Sequence, residues 1–145
     1  MDFSIRAANM EDCKDIARMI MLEQDGFSKN PFFHGIIAEV AEQHRTQDHT
    51  KIGYALYFYS YSWLGRGIYM EDLYVMPEFR KGIGKALMSK VAQLGLAAGC
   101  SNLKFTVLDW NKPSVDFYVS QGCSDITANF GFHCMRCEGE ALEHL

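Results

Sequence analysis

Proline is scarce in this chain of 145 residues, with three, and tryptophan scarcer, with two. With 48% of residues hydrophobic and 13% aromatic, so little proline excludes a disordered or collagen-like chain. A basic excess is also missing. Lys and Arg number 14 against 18 Asp and Glu, a formal net charge of −4. The electrostatic footprint of a general nucleic-acid binder is therefore absent, and a weakly acidic chain better suits a cationic partner. No apolar run approaches the roughly 20 residues of a membrane span. The longest candidate, Gly53 to Leu64, is interrupted by Ser60 and Ser62. Met1 to Arg6 lacks the charged-then-apolar pattern of a signal peptide. Five cysteines, Cys13, Cys100, Cys123, Cys134 and Cys137, are then expected as free thiols of a cytoplasmic protein.

What is present is enough for one domain, residues 1–145, at roughly 150 residues per domain. Such a chain buries about 70% of its unfolded surface and needs no metal or disulfide staple. Phe3 to Ala7 reads as a strand. Asn9 looks like a helix cap answered by Asp12, and Cys13, Ile16, Ala17 and Ile20 share one helical face. Asp25-Gly26 and Asn30-Pro31 read as breakers that stop this helix near Glu23. Strands follow at His34 to Val40, Ile52 to Tyr61 and Ile68 to Val75. The polar stretch Gln43 to Lys51 and the turn Trp63 to Gly67 connect them, which predicts an antiparallel meander. Gly82 to Ala98 is the strongest helix, and Leu103 to Leu108 is predicted to return parallel to Ile68–Val75. Pro113 to Gln121 reads as a short helix and Gly131 to Cys137 as a closing strand. The order β-α-β-β-β-α-β-α-β predicts an α/β fold with a mixed, mostly antiparallel sheet and helices on both faces.

Chemistry concentrates where a strand meets a helix. Pro77-Glu78-Phe79-Arg80-Lys81-Gly82-Ile83-Gly84-Lys85 combines two glycines, three cations and a helix start. Unpaired N–H groups and the positive dipole end there favour a phosphate or pyrophosphate. The same segment also reads as an ordinary strand–helix turn. It is no Walker A loop, because one residue separates the glycines and Ala86 follows Lys85. It is no dinucleotide fingerprint either, because Leu87 stands where a third glycine belongs.

Arg80-Lys81-Gly82-Ile83-Gly84 resembles the pyrophosphate loop of the Gcn5-related N-acetyltransferases, Arg/Gln-x-x-Gly-x-Gly/Ala. Tyr69 to Met76 and Val107 to Tyr118 narrow the match. They are similar to the spermidine/spermine (diamine) acetyltransferases, and Leu108-Asp109-Trp110-Asn111 has the form of the branch that acetylates thialysine. Asp25-Gly26-Phe27 and Asn30-Pro31-Phe32-Phe33-His34 also fit that branch. The loop here is one residue shorter than the family's, and Glu23 runs into Asp25-Gly26 where the family has a further helical excursion. Phe130 stands where the family tends to have a substrate-side Glu.

The resemblance implies acetyl transfer from acetyl-CoA to a primary amine by direct attack in a ternary complex, with no metal. It implies a small cationic polyamine, diamine or thialysine-like substrate, and a cytoplasmic homodimer that works without nucleic acid or membrane. By position, Tyr118 falls on the family's general acid, and Glu71 and Asp72 on carboxylates at the amine end. Leu73, Tyr74 and Val75 fall on the strand that holds the pantetheine arm. Arg80, Lys81, Gly82, Ile83, Gly84 and Lys85 cover the pyrophosphate. Asn111, Lys112, Pro113 and Ser114 line the cofactor beside Tyr118, and Lys104, Phe105 and Thr106 fall on a substrate-side stretch.

The residues make sense of that chemistry. An alkylammonium with a pKa near about 10.4 is protonated at neutral pH and cannot attack a thioester. A carboxylate attracts the cation and accepts its proton, and Glu71 suits that base. Successive strand residues point to opposite faces, so only a bulge or an open edge brings Glu71 and Asp72 to one pocket. Taken alone, adjacent strand acids are more often solvated or salt-bridged. Tyr118, with a pKa of about 10, can protonate a leaving thiolate, though a helix tyrosine is otherwise ordinary packing. Cys134-Met135-Arg136-Cys137 lacks the second ligand pair of a zinc site, and His34 and His133 have no nucleophile partner in sequence. Two further functions stay open: an acyl-CoA-binding protein with little catalysis, and a protein lysine acetyltransferase.

Overall fold

The computed structural model describes residues 3–12, 22–42, 50–79 and 82–145. They fall in two compact units, Met1–Thr106 and Val107–Leu145. The first unit holds β1 (Phe3–Ala7), α1 (Leu22–Phe27), β2 (His34–Val40), β3 (Lys51–Ser62), β4 (Gly65–Val75), α2 (Ile83–Ala97) and β5 (Asn102–Lys104). Its strands form one sheet in sequence order. The pairs β1/β2, β2/β3 and β3/β4 are antiparallel. β5 pairs parallel to β4, as the helical crossover predicts.

Both faces of this sheet are covered, and the strand period of two assigns the residues. A Cβ added at Gly53 would lie 3.2 Å from Leu87 of α2, so α2 covers that side. Leu56 is on the other side by alternation, where it clusters with Ile37, Phe27 and Phe33. Ile37, Ile52, Ile68 and Leu87 are fully buried. Each contributes about 1.5–3 kcal/mol by leaving water.

Asp12 ends a 3-10 turn, Met10–Asp12, and is completely buried. Its carboxylate accepts from Arg6 Nη1 at 2.7 Å and Nη2 at 2.9 Å, and from the Asn9 backbone N–H at 2.7 Å. Lys51 Nζ lies 3.0 Å away. Burial opposes the charge, but these donors outweigh it and hold the Asp12 carboxyl well below the usual carboxylate range. Asn9 Oδ1 accepts from the Glu11 N–H at 3.0 Å, so the expected reciprocal cap between positions 9 and 12 is formed.

Asp25-Gly26 does not break a helix; α1 runs through it to Phe27. The glycine serves close packing instead, since a Cβ there would lie 2.5 Å from the Phe33 ring. The helix expected on Cys13, Ile16, Ala17 and Ile20, and most of the loop expected at Gln43 to Lys51, lie outside the described residues. β4 begins at Gly65, earlier than expected, because Trp63-Leu64 alone makes the turn. The strand expected at Leu103 to Leu108 is confined to Asn102–Lys104.

The second unit holds α3 (Lys112–Ser120) and α4 (Glu140–Glu143). α3 starts as expected: Pro113 occupies its first turn and Asn111 Oδ1 accepts from the Ser114 N–H at 3.4 Å. Gly131 to Cys137 is not a strand. It is irregular and exposed throughout. Alternating hydrophobicity makes a strand only where a neighbouring strand takes its hydrogen bonds, and among the described residues none pairs with this segment.

Candidate active site

β3 and β4 leave the Trp63-Leu64 turn in regular register, from Ser62 opposite Gly65 to Tyr57 opposite Met70. The register then shifts. Leu56 faces Asp72, and Glu71 is left without an opposite residue. This is a β-bulge at Glu71. An unbroken register would set Ala55 opposite Asp72, on the side that α2 covers. The bulge instead turns Asp72 to the side of Tyr54 and Leu56. Both carboxylates are consequently exposed, which alternation in a regular strand pair would not allow.

The two acids differ in their surroundings. Asp72 Oδ2 accepts from the Tyr54 hydroxyl at 2.7 Å. The Tyr54 phenol is pushed up in pKa, first by burial and then by this carboxylate, so it remains a donor. Its ring lies 5.8 Å from that of Tyr74, its cross-strand partner. Tyr54 and Tyr74 also line a cavity of about 230 Å³ with Ile37 and Met76. That is below the roughly 300–1,000 Å³ of typical ligand pockets and suits a slender group. Glu71 has no such tether among the described residues.

Leu73, Tyr74 and Val75 complete β4. The ladder to β5 ends at Tyr69 opposite Lys104, while β4 continues to Val75, so the two parallel strands diverge. Phe105 and Thr106 follow β5 in this diverging region.

Past Val75, the 3-10 turn Pro77–Phe79 leads to Gly82, which caps α2 at φ 85°. Only glycine takes that backbone without strain. α2 has no side-chain cap and no acid in its first turn, so the positive end of a 15-residue helix faces outward. A Cβ at Gly84 would meet only Val75, at an ordinary 3.8 Å. Packing among the described residues does not demand glycine there. Ile83 is buried beneath this surface and Lys85 is exposed on it. An anionic pyrophosphate fits this set of donors. Arg80 and Lys81 lie outside the described residues.

The structure thus brings Glu71 to Val75 and Gly82 to Lys85 into one continuous strand–turn–helix corner, while Lys104 sits beside Tyr69. Asn111 to Ser114 and Tyr118 belong to the second unit. Asn111 is committed to capping α3, and Lys112 pairs with Asp116 at 3.3 Å. Tyr118 is half-buried, its ring 5.4 Å from Phe117. His34 packs against the rings of Tyr57 and Tyr59, a structural role. Cys134 and Cys137 are exposed. Among the described residues no group of three or more His, Cys, Asp or Glu is placed to hold a metal ion. No helix among them is long and apolar enough to cross a membrane.

Comparison with known proteins identifies the family. The profile of the acetyltransferase (GNAT) family matches residues 6–123. The chain belongs to the GNAT family. It is 42% identical over 162 aligned positions to the thialysine N-epsilon-acetyltransferase of Bos taurus, covering 97% of this chain and 95% of that protein. Those aligned positions outnumber the 145 residues here, so the bovine protein carries segments that this chain lacks. An integron cassette protein of V. cholerae superposes with a TM-score of 0.74 at 24% identity, over 99% of this chain and 97% of that one. The aminoglycoside N-acetyltransferase AAC(6')-Iy, solved with CoA, superposes with a TM-score of 0.69 at 20% identity, over 92% of this chain and all of that one. These structures establish the GNAT fold, a mixed, mostly antiparallel sheet flanked by helices. The sequence kinship places the chain with the thialysine and diamine acetyltransferases.

Sequence reasoning missed Tyr54. Its signal was the dense Tyr and Phe pattern of β3, but the Trp63-Leu64 turn alone implies a register with Tyr54 opposite Leu73. Only the bulge makes it a neighbour of Asp72.

Proposed function

We propose that this protein is an acetyl-CoA-dependent N-acetyltransferase that acetylates a primary amine of a small polyamine, diamine or thialysine-like substrate. The observation that carries this reading is the near full-length, 42% identity to a thialysine N-epsilon-acetyltransferase. Acetyl-CoA supplies the activated acetyl thioester. Asp72 attracts the substrate ammonium, and Glu71 takes the proton that must leave before the nitrogen can attack. Backbone N–H groups of Leu73 to Val75 serve the pantetheine arm and the carbonyl oxygen as charge develops on it. Arg80 to Lys85, with the start of α2, hold the pyrophosphate. Asn111 to Ser114 line the cofactor, and Lys104, Phe105 and Thr106 serve the substrate side. Tyr118 protonates the departing thiolate.

Residues 1–145 form a single catalytic domain in this reading, supported by a family match that spans both units. The resemblance to the diamine acetyltransferases also supports a cytoplasmic homodimer, and exposed Tyr61 and Trp63 at the β3–β4 turn suit a subunit surface. Sedimentation at micromolar concentration tests the dimer. The function is tested by thiol release from acetyl-CoA over a panel of spermidine, 1,3-diaminopropane, thialysine and a lysine-containing peptide. Release with the small amines supports the reading. Release with the peptide alone replaces it with a protein acetyltransferase. Calorimetric CoA binding without release leaves a binding protein.

A further inference from the structure

We propose that Tyr54 is a positioning residue that acts through Asp72, fixing one carboxylate as the ammonium anchor and leaving Glu71 as the separate proton acceptor. The proposal deepens the reading above and rests on Asp72 meeting the amine.

The bulge places two adjacent acids at one exposed site, where without further distinction they would compete for one cation and one proton. The structure distinguishes them. The Tyr54 hydroxyl donates to Asp72 Oδ2 at 2.7 Å, whereas Glu71 has no comparable donor among the described residues. A hydrogen bond to a carboxylate fixes its orientation. Asp72 is therefore held in one orientation, and Glu71 keeps the freedom of movement a proton acceptor needs.

Tyr54 is built for this task. Its ring lies 5.8 Å from that of its cross-strand partner Tyr74 and packs against the cluster of Ile37 and Leu56. The hydroxyl thus reaches Asp72 from a rigid strand rather than from a loop. The diagonal that joins them exists only because the bulge shifts the register by one residue.

The test is steady-state kinetics of Tyr54→Phe, Asp72→Asn and the double variant, with spermidine and thialysine as acceptors. Phe keeps the ring and its packing, and the KM for acetyl-CoA and a thermal melt report any misfolding. The expected result for Tyr54→Phe is a rise of about tenfold in amine KM, the effect of losing one charge-assisted hydrogen bond. kcat and the acetyl-CoA KM should stay within about twofold. Because the hydroxyl acts through Asp72, the double variant should match Asp72→Asn rather than combine both losses. An unchanged amine KM in Tyr54→Phe, with a raised one in Asp72→Asn, overturns the positioning role but keeps Asp72 as the anchor. Additive losses also overturn it. If Asp72→Asn leaves amine KM unchanged, or neither amine is acetylated, the underlying reading fails and the positioning role falls with it.

Discussion

The two units of this chain are stabilised in different ways. Met1–Thr106 carries the five-stranded sheet and every fully buried side chain among the described residues. Val107–Leu145 has no strand and no buried residue, and it exposes Trp110, Phe130, Phe132 and Met135. Its helices span nine and four residues, and Asn111 caps the longer one. The lesson is a division of labour. The first unit's carboxylates depend on long-range strand register, whereas Tyr118 depends on a short capped helix.

The contrast can be broken hardest at Asp12. Asp12→Ala leaves Arg6 and Lys51 without their buried partner and should cost about 3–5 kcal/mol in urea unfolding. The same group sets a pH dependence. Its folded-state pKa is lowered, so its contribution is fully present above the ordinary carboxylate value near about 4. That contribution should fall away as pH drops below that value toward the lower folded pKa, and be missing in Asp12→Ala. A flat acid limb shared by both proteins would refute the assignment.

Next comes the hydrophobic difference. Leu87→Ala, at a fully buried position, should cost about 2–5 kcal/mol. Phe132→Ala, at an exposed one, should stay within about 0.5 kcal/mol in the same melts. Equal losses would show that the second unit is stabilised by packing after all.

Activity gives a third comparison, across the units. Glu71→Gln and Tyr118→Phe should each lower kcat by about a hundredfold or more, while both proteins keep their CoA affinity. Wild-type turnover in both variants would remove the acid and base roles. The smallest effect is expected at the α3 cap, where Asn111→Ala should cost about 1 kcal/mol. A larger drop in acetyl-CoA affinity than in stability would give Asn111 a direct ligand role.

Much of the fold was legible because the signals were local. The apolar stripe of Gly82–Ala98, the β-rich runs at His34–Val40 and Ile52–Tyr61, and the Asn111-Pro113 start of α3 all lie where the sequence places them. Gly131–Cys137 misled for the converse reason: a strand pattern is a statement about a partner, and among the described residues no neighbouring strand supplies one. Gly26 misled because a glycine that admits an aromatic ring looks, in sequence, like a glycine that breaks a helix. At the candidate site, the helix start was legible from Gly82, which caps α2 at a positive φ.

The sequence by itself determined the family and the positions of most strands and helices. It did so because period, capping and glycine placement act over a few residues, and because segments such as Val107 to Tyr118 resemble the family's. Only tertiary structure decided how Glu71 and Asp72 are placed. Whether Asp72 lies under α2 or beside Tyr54 depends on a one-residue slip between β3 and β4. That slip is set by cross-strand packing between residues 18 positions apart in the chain.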